Sequence, residues 1–378
     1  MAHVFIVNDQ TFNIHLKYGF AGTGAGERSC GFLNKDLNYS IHPTTEKLLL
    51  SLIADVSRIR PGDKILFYLQ QSNGSEGMFF GSFCAKEKAF LSQKNVLEKE
   101  LGKKLPFRVE IEADEVYSKG ITERECLDSL ENIERPCDMC WSLIYRKLKG
   151  NRGCTMITDA EYEFIMNKIR LAKDSKRITN TDGFEFDSNE KIIINSSQEK
   201  YETLKDIKEN FNIEYRMSLK EKKNRAFEVY LQAYILQNLE SIKTLHVNNS
   251  PITWIGNEMA CGVGMQSIDI AFIQSNKKTV DIVVCELKAT QISDAITVQM
   301  MKYINWLSQY IIPTYKDKKV IIHPTIVAPT PKSTVKKKTI VDVKNSINDL
   351  SNKLENSISK ARYISFSFEN EKISFEIE

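Results

Sequence analysis

The sequence lacks any apolar run that approaches the roughly 18 residues needed to cross a membrane. Its first nine residues also lack the basic region and the long apolar core of a signal peptide. We therefore expect a cytoplasmic protein that does not bind membranes. The eight cysteines are expected to stay reduced in that compartment.

An excess of one charge is missing as well. The 378 residues include 52 basic and 49 acidic side chains, which gives a formal net charge of +3. Residues 1–170 carry 23 of each sign, so neither half of the chain is strongly basic. This balance excludes a protein that coats nucleic acid by bulk charge, and any basic groove must be local.

Two familiar ligand-binding motifs are absent. The glycine-rich run from Gly22 to Gly26 has neither the spacing nor the Gly-Lys-Ser/Thr ending of a phosphate-binding loop. Cys137 and Cys140 have the spacing of half a zinc site, but no second paired motif follows them. We therefore expect neither a nucleotide loop nor a zinc site.

The length of the chain favours two domains, because single domains usually contain roughly 100–200 residues. Hydrophobic residues make up 42% of the chain and charged residues 27%, which is typical of globular proteins. We place a first domain at residues 1–172, a linker at 173–215 and a second domain at 216–378. The linker prediction rests on the polar, weakly patterned residues 173–191.

Both domains are expected to mix helices and strands, in an α/β and α+β class. In the first, short apolar runs predict strands at residues 4–7, 64–68 and 78–84, and helical spacing predicts a helix at 44–58. A capping box at Thr158 predicts another helix. In the second domain, the pattern predicts helices at 225–239 and 293–310, and strands at 268–273, 280–285, 319–328 and within 364–377.

Charged side chains stand near the ends of two of these apolar strands. Asp269 lies in one, and Glu286 and Lys288 end the next. Residues two apart in a strand point to the same face, so Glu286 and Lys288 project together, and a hairpin can bring Asp269 beside them. Two carboxylates can hold a divalent cation against a phosphate while a lysine orients water or stabilises developing charge. The pattern predicts a metal-dependent nuclease site, although such residues also occur by chance as exposed cross-strand charge pairs.

This order of residues resembles the PD-(D/E)XK nuclease superfamily, in which an Asp at the end of one strand precedes Glu-x-Lys on the next. The resemblance covers residues 216–378, with Ile268 where the family usually has proline. Gln299-x-x-x-Tyr303 looks like the helix motif of the RecB-like branch, and at i and i+4 these side chains share a helix face. Core packing is the alternative role for Tyr303.

The resemblance implies a site on the second domain that uses Mg²⁺ or Mn²⁺. Asp269 and Glu286 are the implied metal ligands. An acidic residue on the helix before the Asp strand is expected to complete the site, and Glu228 is the first candidate, with Glu221 as the alternative. The implied catalytic residues are Asp269, Glu286, Lys288, Gln299 and Glu228.

A second resemblance covers residues 1–170. Residues 61–68 followed by 77–81 are similar to the PUA-like group, including EVE, YTH and ASCH domains, in which a Gly-Asp turn starts a strand ending in Phe-Tyr. It implies a small β-barrel whose pocket receives a flipped base between aromatic side chains. Most aromatic residues of a barrel belong to its core, and a basic cluster at a helix end also suits the helix dipole. The candidate base-binding and phosphate-binding residues are Tyr68, Trp141, Arg146 and Arg152.

Together, the resemblances imply a Mg²⁺-dependent endonuclease similar to modification-dependent restriction enzymes. Its first domain would read a feature of double-stranded DNA, such as a modified base, and its second would hydrolyse the phosphodiester. A double-strand break needs two such sites, so a homodimer is expected. Two alternatives stay open at this point: a non-catalytic reader of modified bases or RNA, and a NucS-like repair nuclease acting on mismatched or branched DNA.

Overall fold

The computed structural model describes residues 1–26, 43–71, 76–94, 96–128, 133–134, 153–179, 183–197, 208–211, 213–223, 227–261, 266–352, 354 and 358–378. These residues form two compact units, one ending at Phe211 and the other beginning after it. Both units mix helices and strands, which confirms the α/β class expected from the sequence. Among the described helices, none is both long and apolar enough to cross a membrane.

The first unit is built around one large sheet, beside which β9 and β10 form a separate pair. The strands of the unit are β1 (Ala2–Val7), β2 (Phe20–Thr23), β3 (Lys64–Leu69), β4 (Met78–Ala85), β5 (Phe90–Ser92), β6 (Phe107–Ala113), β7 (Ile121–Thr122), β8 (Thr155–Ile157), β9 (Phe184–Asp187), β10 (Ile192–Asn195) and β11 (Lys208–Glu209). Its helices are α1 (Asp9–Tyr18), α2 (Pro43–Ser57), α3 (Glu98–Leu101), α4 (Glu123–Leu127) and α5 (Asp159–Leu171). The sheet runs in the order β11-β5-β6-β4-β3-β1-β8, with β2 paired to β6 and β7 to β4.

A tight turn begins β3. Gly62 has a φ of 86°, which a residue with a side chain rarely adopts. Asp63 then closes the turn, because its Oδ2 accepts a hydrogen bond of 2.8 Å from the backbone N–H of Arg60. The same carboxylate lies 3.0 Å from Nε2 of the buried His3 on β1, so the turn is joined to the neighbouring strand.

The structure corrects the prediction of a linker at residues 173–215. β9 and β10 form an antiparallel hairpin that packs on α1. Phe184 and Phe186 alternate onto its buried face, and the ring of Phe186 lies 4.8 Å from that of Phe12 between ring centres. The polar residues of this segment occupy the turn and the exposed face, which hid its period-two apolar pattern.

The second unit contains one six-stranded sheet with helices before and between its strands. The strands are β12 (Ile252–Ala260), β13 (Ser267–Ser275), β14 (Thr279–Leu287), β15 (Lys319–Pro329), β16 (Arg362–Glu369) and β17 (Lys372–Ile377), and they neighbour one another in that order. The helices are α6 (Glu214–Lys222), α7 (Glu228–Asn238), α8 (Ala295–Tyr310) and α9 (Thr334–Ser351).

Strand direction determines where the candidate site lies. β13 is antiparallel to both of its neighbours, β12 and β14, whereas β14, β15 and β16 are parallel to one another. α8 and α9 make the two crossover connections that parallel neighbours require. The carboxyl ends of β14, β15 and β16 therefore meet at one edge of the sheet, and β13 begins at the same edge.

Candidate active site

Asp269 joins β13 to β14 through its side chain. The last backbone pair between these strands matches Ile270 with Cys285, and one further step in the same register matches Asp269 with Glu286. Here Oδ2 of Asp269 accepts a hydrogen bond of 2.7 Å from the backbone N–H of Leu287. The carboxylate thus replaces a backbone acceptor at the end of the ladder. Oδ1 accepts no hydrogen bond from the described part of the chain.

Glu286 is a completely buried carboxylate with two polar partners. Its Oε1 accepts a hydrogen bond from the ammonium group of Lys288. Its Oε2 lies 2.8 Å from the hydroxyl oxygen of Tyr303 on α8. Because Glu286 and Lys288 are two residues apart, they share a face of the strand end, while Cys285 and Leu287 are buried on the other.

A chain of hydrogen bonds links α8 to Glu286. Nε2 of Gln299 donates to the Tyr303 hydroxyl over 2.5 Å, so the two side chains share one face of the helix. The Tyr303 hydroxyl lies 2.8 Å from both Glu286 Oε2 and the backbone oxygen of Ser267, and its single proton is donated to one of them at a time. Gln299 therefore acts on the carboxylate through Tyr303 rather than directly.

Burial and like charge make the two acids hard to ionise together. Burial raises the pKa of Asp269 well above its usual range, and the charge of Glu286 raises it further, against the hydrogen bond from Leu287. Burial also raises the pKa of Glu286, although the ammonium of Lys288 acts in the opposite direction. A cation at this edge would relieve both effects.

Lys288 is held as an ammonium ion. Burial acts to lower its pKa, but the hydrogen bond to Glu286 and the nearby negative charges raise the pKa above its ordinary value. The hydroxyl of Tyr303 is likewise kept protonated, because burial and the charge of Glu286 raise its pKa. Both groups are therefore donors at neutral pH.

Glu228 lies at the entrance to this group of residues. It is the first residue of α7 and is exposed, and its Oε1 accepts a hydrogen bond of 3.2 Å from the backbone N–H of Ala289. An acidic side chain is favoured at a helix N-terminus. Its charge acts on both Glu286 and Lys288.

Two further residues at the site were missed by sequence reasoning. Glu258 on β12 occupies the register position opposite Asp269, between the pairs Asn257–Ile270 and Met259–Ile268. Its φ of 47° places it in a left-handed conformation. Its Oε2 accepts from Ser267 Oγ over 3.0 Å, and its Oε1 accepts from Gln232 Nε2 over 3.1 Å.

Gln232 connects α7 to both neighbouring strands. The same Nε2 lies 2.9 Å from the backbone oxygen of Asp269, and the side chain is 4% exposed. The charge of Glu258 also raises the pKa of Asp269. Glu258 lies on β12, a strand that the sequence pattern did not predict, and no sequence signal marks Gln232. In the described ranges, no three His, Cys, Asp or Glu side chains form a group that could hold a metal ion.

The structure places Tyr68 in the core of the first unit. The residue is 3% exposed, its ring lies 5.0 Å from that of Phe79 between ring centres, and its hydroxyl donates to Glu123 over 2.7 Å. These contacts are those of a core residue, the alternative role for the aromatic residues of this domain, and its role in base binding stays a prediction. Trp141, Arg146 and Arg152 lie outside the described residues.

The comparisons with known proteins identify no family. No protein-family model matches the chain, and no curated protein matches it. Among solved structures, the NMR structure of Rpa0253 from Rhodopseudomonas palustris matches with 12% sequence identity and a TM-score of 0.25, covering 44% of this chain and 90% of that one. A likeness at this level carries no argument about function.

Proposed function

We propose that the second unit is a metal-dependent nuclease that hydrolyses phosphodiester bonds of DNA. The observation that carries this proposal is the convergence of Asp269, Glu286 and Lys288 at one edge of the sheet. Surface charge pairs on neighbouring strands are common, but they are exposed and weak. Here Glu286 is completely buried and is held by donors from two elements, which a surface pair does not require.

The donor set fits Mg²⁺ or Mn²⁺. Both ions prefer carboxylate oxygens, and Mg²⁺ usually takes only one or two protein carboxylates beside water and substrate phosphate. Asp269 and Glu286 supply such a pair, and the pKa of each is raised by burial without a bound cation. The thiol of Cys285, a softer ligand, is buried in the core.

Each residue then has a definite task. Asp269 and Glu286 would hold the cation, which supplies a polarised water and neutralises charge on the phosphate. The Lys288 ammonium donates a hydrogen bond to the attacking water or to the phosphate oxygen that gains charge. Tyr303, supported by Gln299, fixes the orientation of Glu286. Glu228 contributes negative charge at the entrance.

We propose further that the first unit reads a feature of the DNA, such as a modified base. Support for a PUA-like reader comes from the residues that carry the resemblance: Gly62 and Asp63 form a turn that starts β3, and β3 contains Phe67 and Tyr68 before Leu69. Tyr68 is buried, so it is a weaker candidate for contact with a base. The proposed substrate is double-stranded DNA, and cleavage of both strands would use a homodimer.

A cleavage assay tests the proposal. Plasmid DNA, unmodified and with methylated or hydroxymethylated cytosine, is incubated with the protein and Mg²⁺, Mn²⁺ or EDTA. We expect metal-dependent cleavage that Glu286→Gln and Lys288→Met abolish. Lys277→Met is the matched control, because Lys277 is exposed in the turn at the opposite end of β14.

The outcomes separate the remaining functions. Absence of cleavage with either metal on every DNA would overturn the nuclease proposal, and so would normal cleavage by both site variants. If no DNA is cleaved, binding of modified DNA or of RNA in a gel-shift measurement would instead identify a non-catalytic reader. Mismatched and branched DNA are included as further substrates, and cleavage confined to them would identify a repair nuclease.

A further inference from the structure

A cleft of about 710 Å³ opens at the carboxyl edge of the parallel strands in the second unit. Phe227 and Ala289 line it, and in the chain they directly precede Glu228 and directly follow Lys288. The cleft therefore lies next to the candidate active site, where the backbone N–H of Ala289 donates to Glu228. Its lining also includes Glu221, Thr290, Gln291, Pro329, Thr330, Lys332, Phe366, Ser367 and Phe368.

One wall of the cleft is aromatic. Phe227, Phe366 and Phe368 meet edge to face, with ring centres 5.8 to 6.2 Å apart. Phe227 and Phe366 are 3% exposed and so are fixed in the core, whereas Phe368 is partly exposed. Aromatic rings of this kind stack on bases without regard to sequence, because every base has a π face.

Polar groups complete the lining. Lys332 is an exposed cation, and it precedes Lys336, Lys337 and Lys338 in the first turns of α9. Thr330 and Gln291 supply a hydroxyl and an amide, and Glu221 adds one carboxylate. A lysine suits a phosphate, while the amide and carboxylate suit the edge of a base. The volume lies within the range of about 300–1,000 Å³ that encloses small molecules, so one nucleotide fits but a paired duplex does not.

We infer that this cleft receives an unpaired nucleotide of the DNA strand that is cut. The inference rests on the proposed nuclease function and adds the class of substrate. A base that is mismatched, in a flap or already single-stranded enters at the lowest cost, since it needs no unpairing. The preferred substrate therefore carries an unpaired nucleotide beside the scissile phosphate, with its base against Phe368 and a neighbouring phosphate at Lys332.

Binding without metal tests the inference independently of cleavage. The full-length protein is titrated in EDTA against a fluorescein-labelled duplex and against the same duplex with a single-stranded flap. We expect about tenfold tighter binding of the flapped DNA, which is the gain of one stacked base. Equal affinity for both DNAs would overturn the inference, even if the protein cleaves DNA.

Two variants locate the preference in the cleft. Phe368→Leu keeps apolar volume but loses the ring, and it should reduce the preference about five- to tenfold, whereas Phe368→Tyr should keep it. Lys332→Ala should lower the slope of log Kd against log salt by about 0.7, the value for one phosphate contact on a single strand. Lys277→Ala should leave the slope unchanged. An unaltered preference in Phe368→Leu would contradict the inference.

The two proposals can fail separately. Flap preference that depends on Phe368 but occurs without any metal-dependent cleavage would refute the nuclease and keep the cleft as a nucleotide-binding site. Cleavage of perfect duplex at the same rate as flapped DNA would keep the nuclease and refute the cleft.

Discussion

The hydroxyl oxygen of Tyr303 lies 2.8 Å from Oε2 of the completely buried Glu286, and together they tie α8 to the end of β14. A hydrogen bond to a charged group contributes about 1.5–3 kcal/mol. Tyr303→Phe removes it and should lower kcat for cleavage by roughly ten- to a hundredfold with a smaller change in KM. Tyr310→Phe makes the same chemical change on the same helix and serves as control. Equal rates for Tyr303→Phe and wild type would show that Glu286 does not require the hydrogen bond from Tyr303 for cleavage.

Glu228 and Glu221 are rival candidates for the acidic group that completes the site. Glu228→Gln keeps an acceptor for the backbone N–H of Ala289 but removes the charge. We expect the Mg²⁺ concentration for half-maximal cleavage to rise about tenfold, the effect of about 1.4 kcal/mol, with little change in thermal stability. Glu221→Gln should leave the Mg²⁺ requirement unchanged. The reverse result would assign the role to Glu221.

Gln232 tests whether the backbone of Asp269 must be held from α7. Gln232→Leu preserves the buried volume but leaves the backbone oxygen of Asp269 and one oxygen of Glu258 without this donor. Unsatisfied buried acceptors cost about 1–3 kcal/mol. We expect a lower midpoint of chemical unfolding and slower cleavage, whereas Gln232→Glu should be worse because it adds another carboxylate beside Glu258 and Asp269. Wild-type cleavage by Gln232→Leu would contradict the role.

His15 should make the first unit less stable in acid. The ring is buried between Phe20 and Phe67, and burial, then the charge of Arg108, lowers its pKa to about 3. The unfolded chain binds the proton below its own pKa of about 6.5 while the folded chain does not. Above pH 6.5 this group therefore leaves the free energy of unfolding unchanged by pH. Between pH 6.5 and pH 3 it lowers the free energy of unfolding by about 1.4 kcal/mol for each unit that the pH falls.

Chemical unfolding at pH 7 and pH 5 measures this effect. Wild type should lose about 2 kcal/mol from this group between the two values. His15→Leu should remove that part of the pH dependence. Phe12→Leu, at a buried aromatic of the same helix, should lower stability equally at both values. An unchanged pH dependence in His15→Leu would show that His15 is not responsible.

Phe186 distinguishes a packed hairpin from a linker. Phe186→Ala removes a ring that contacts Phe12 and Phe80, and it should lower the free energy of unfolding by about 3–5 kcal/mol. A linker residue would change it by no more than about 0.5 kcal/mol. Glu185→Ala, on the exposed face of β9, is the matched control. A small effect at Phe186 would restore the linker interpretation.

Local pattern predicted much of the second unit. The strands carrying Asp269 and Glu286 and the helix carrying Gln299 follow from short-range periodicity, which the sequence displays directly. Glu258 was missed because its position depends on cross-strand register and on a left-handed backbone conformation. The hairpin at Phe184 and Phe186 was missed because polar neighbours masked it, and the burial of Tyr68 depends on tertiary packing that periodicity does not specify.

The hydrogen bond from the Leu287 amide to Asp269 gives the site a built-in reporter. An amide proton that points at a single carboxylate oxygen changes its NMR chemical shift when the charge on that carboxylate changes. In ¹⁵N-labelled protein, the Leu287 resonance would therefore register the arrival of a cation at Asp269 before any DNA is present. The same proton's exchange with solvent would show whether the strand end opens when the cation leaves.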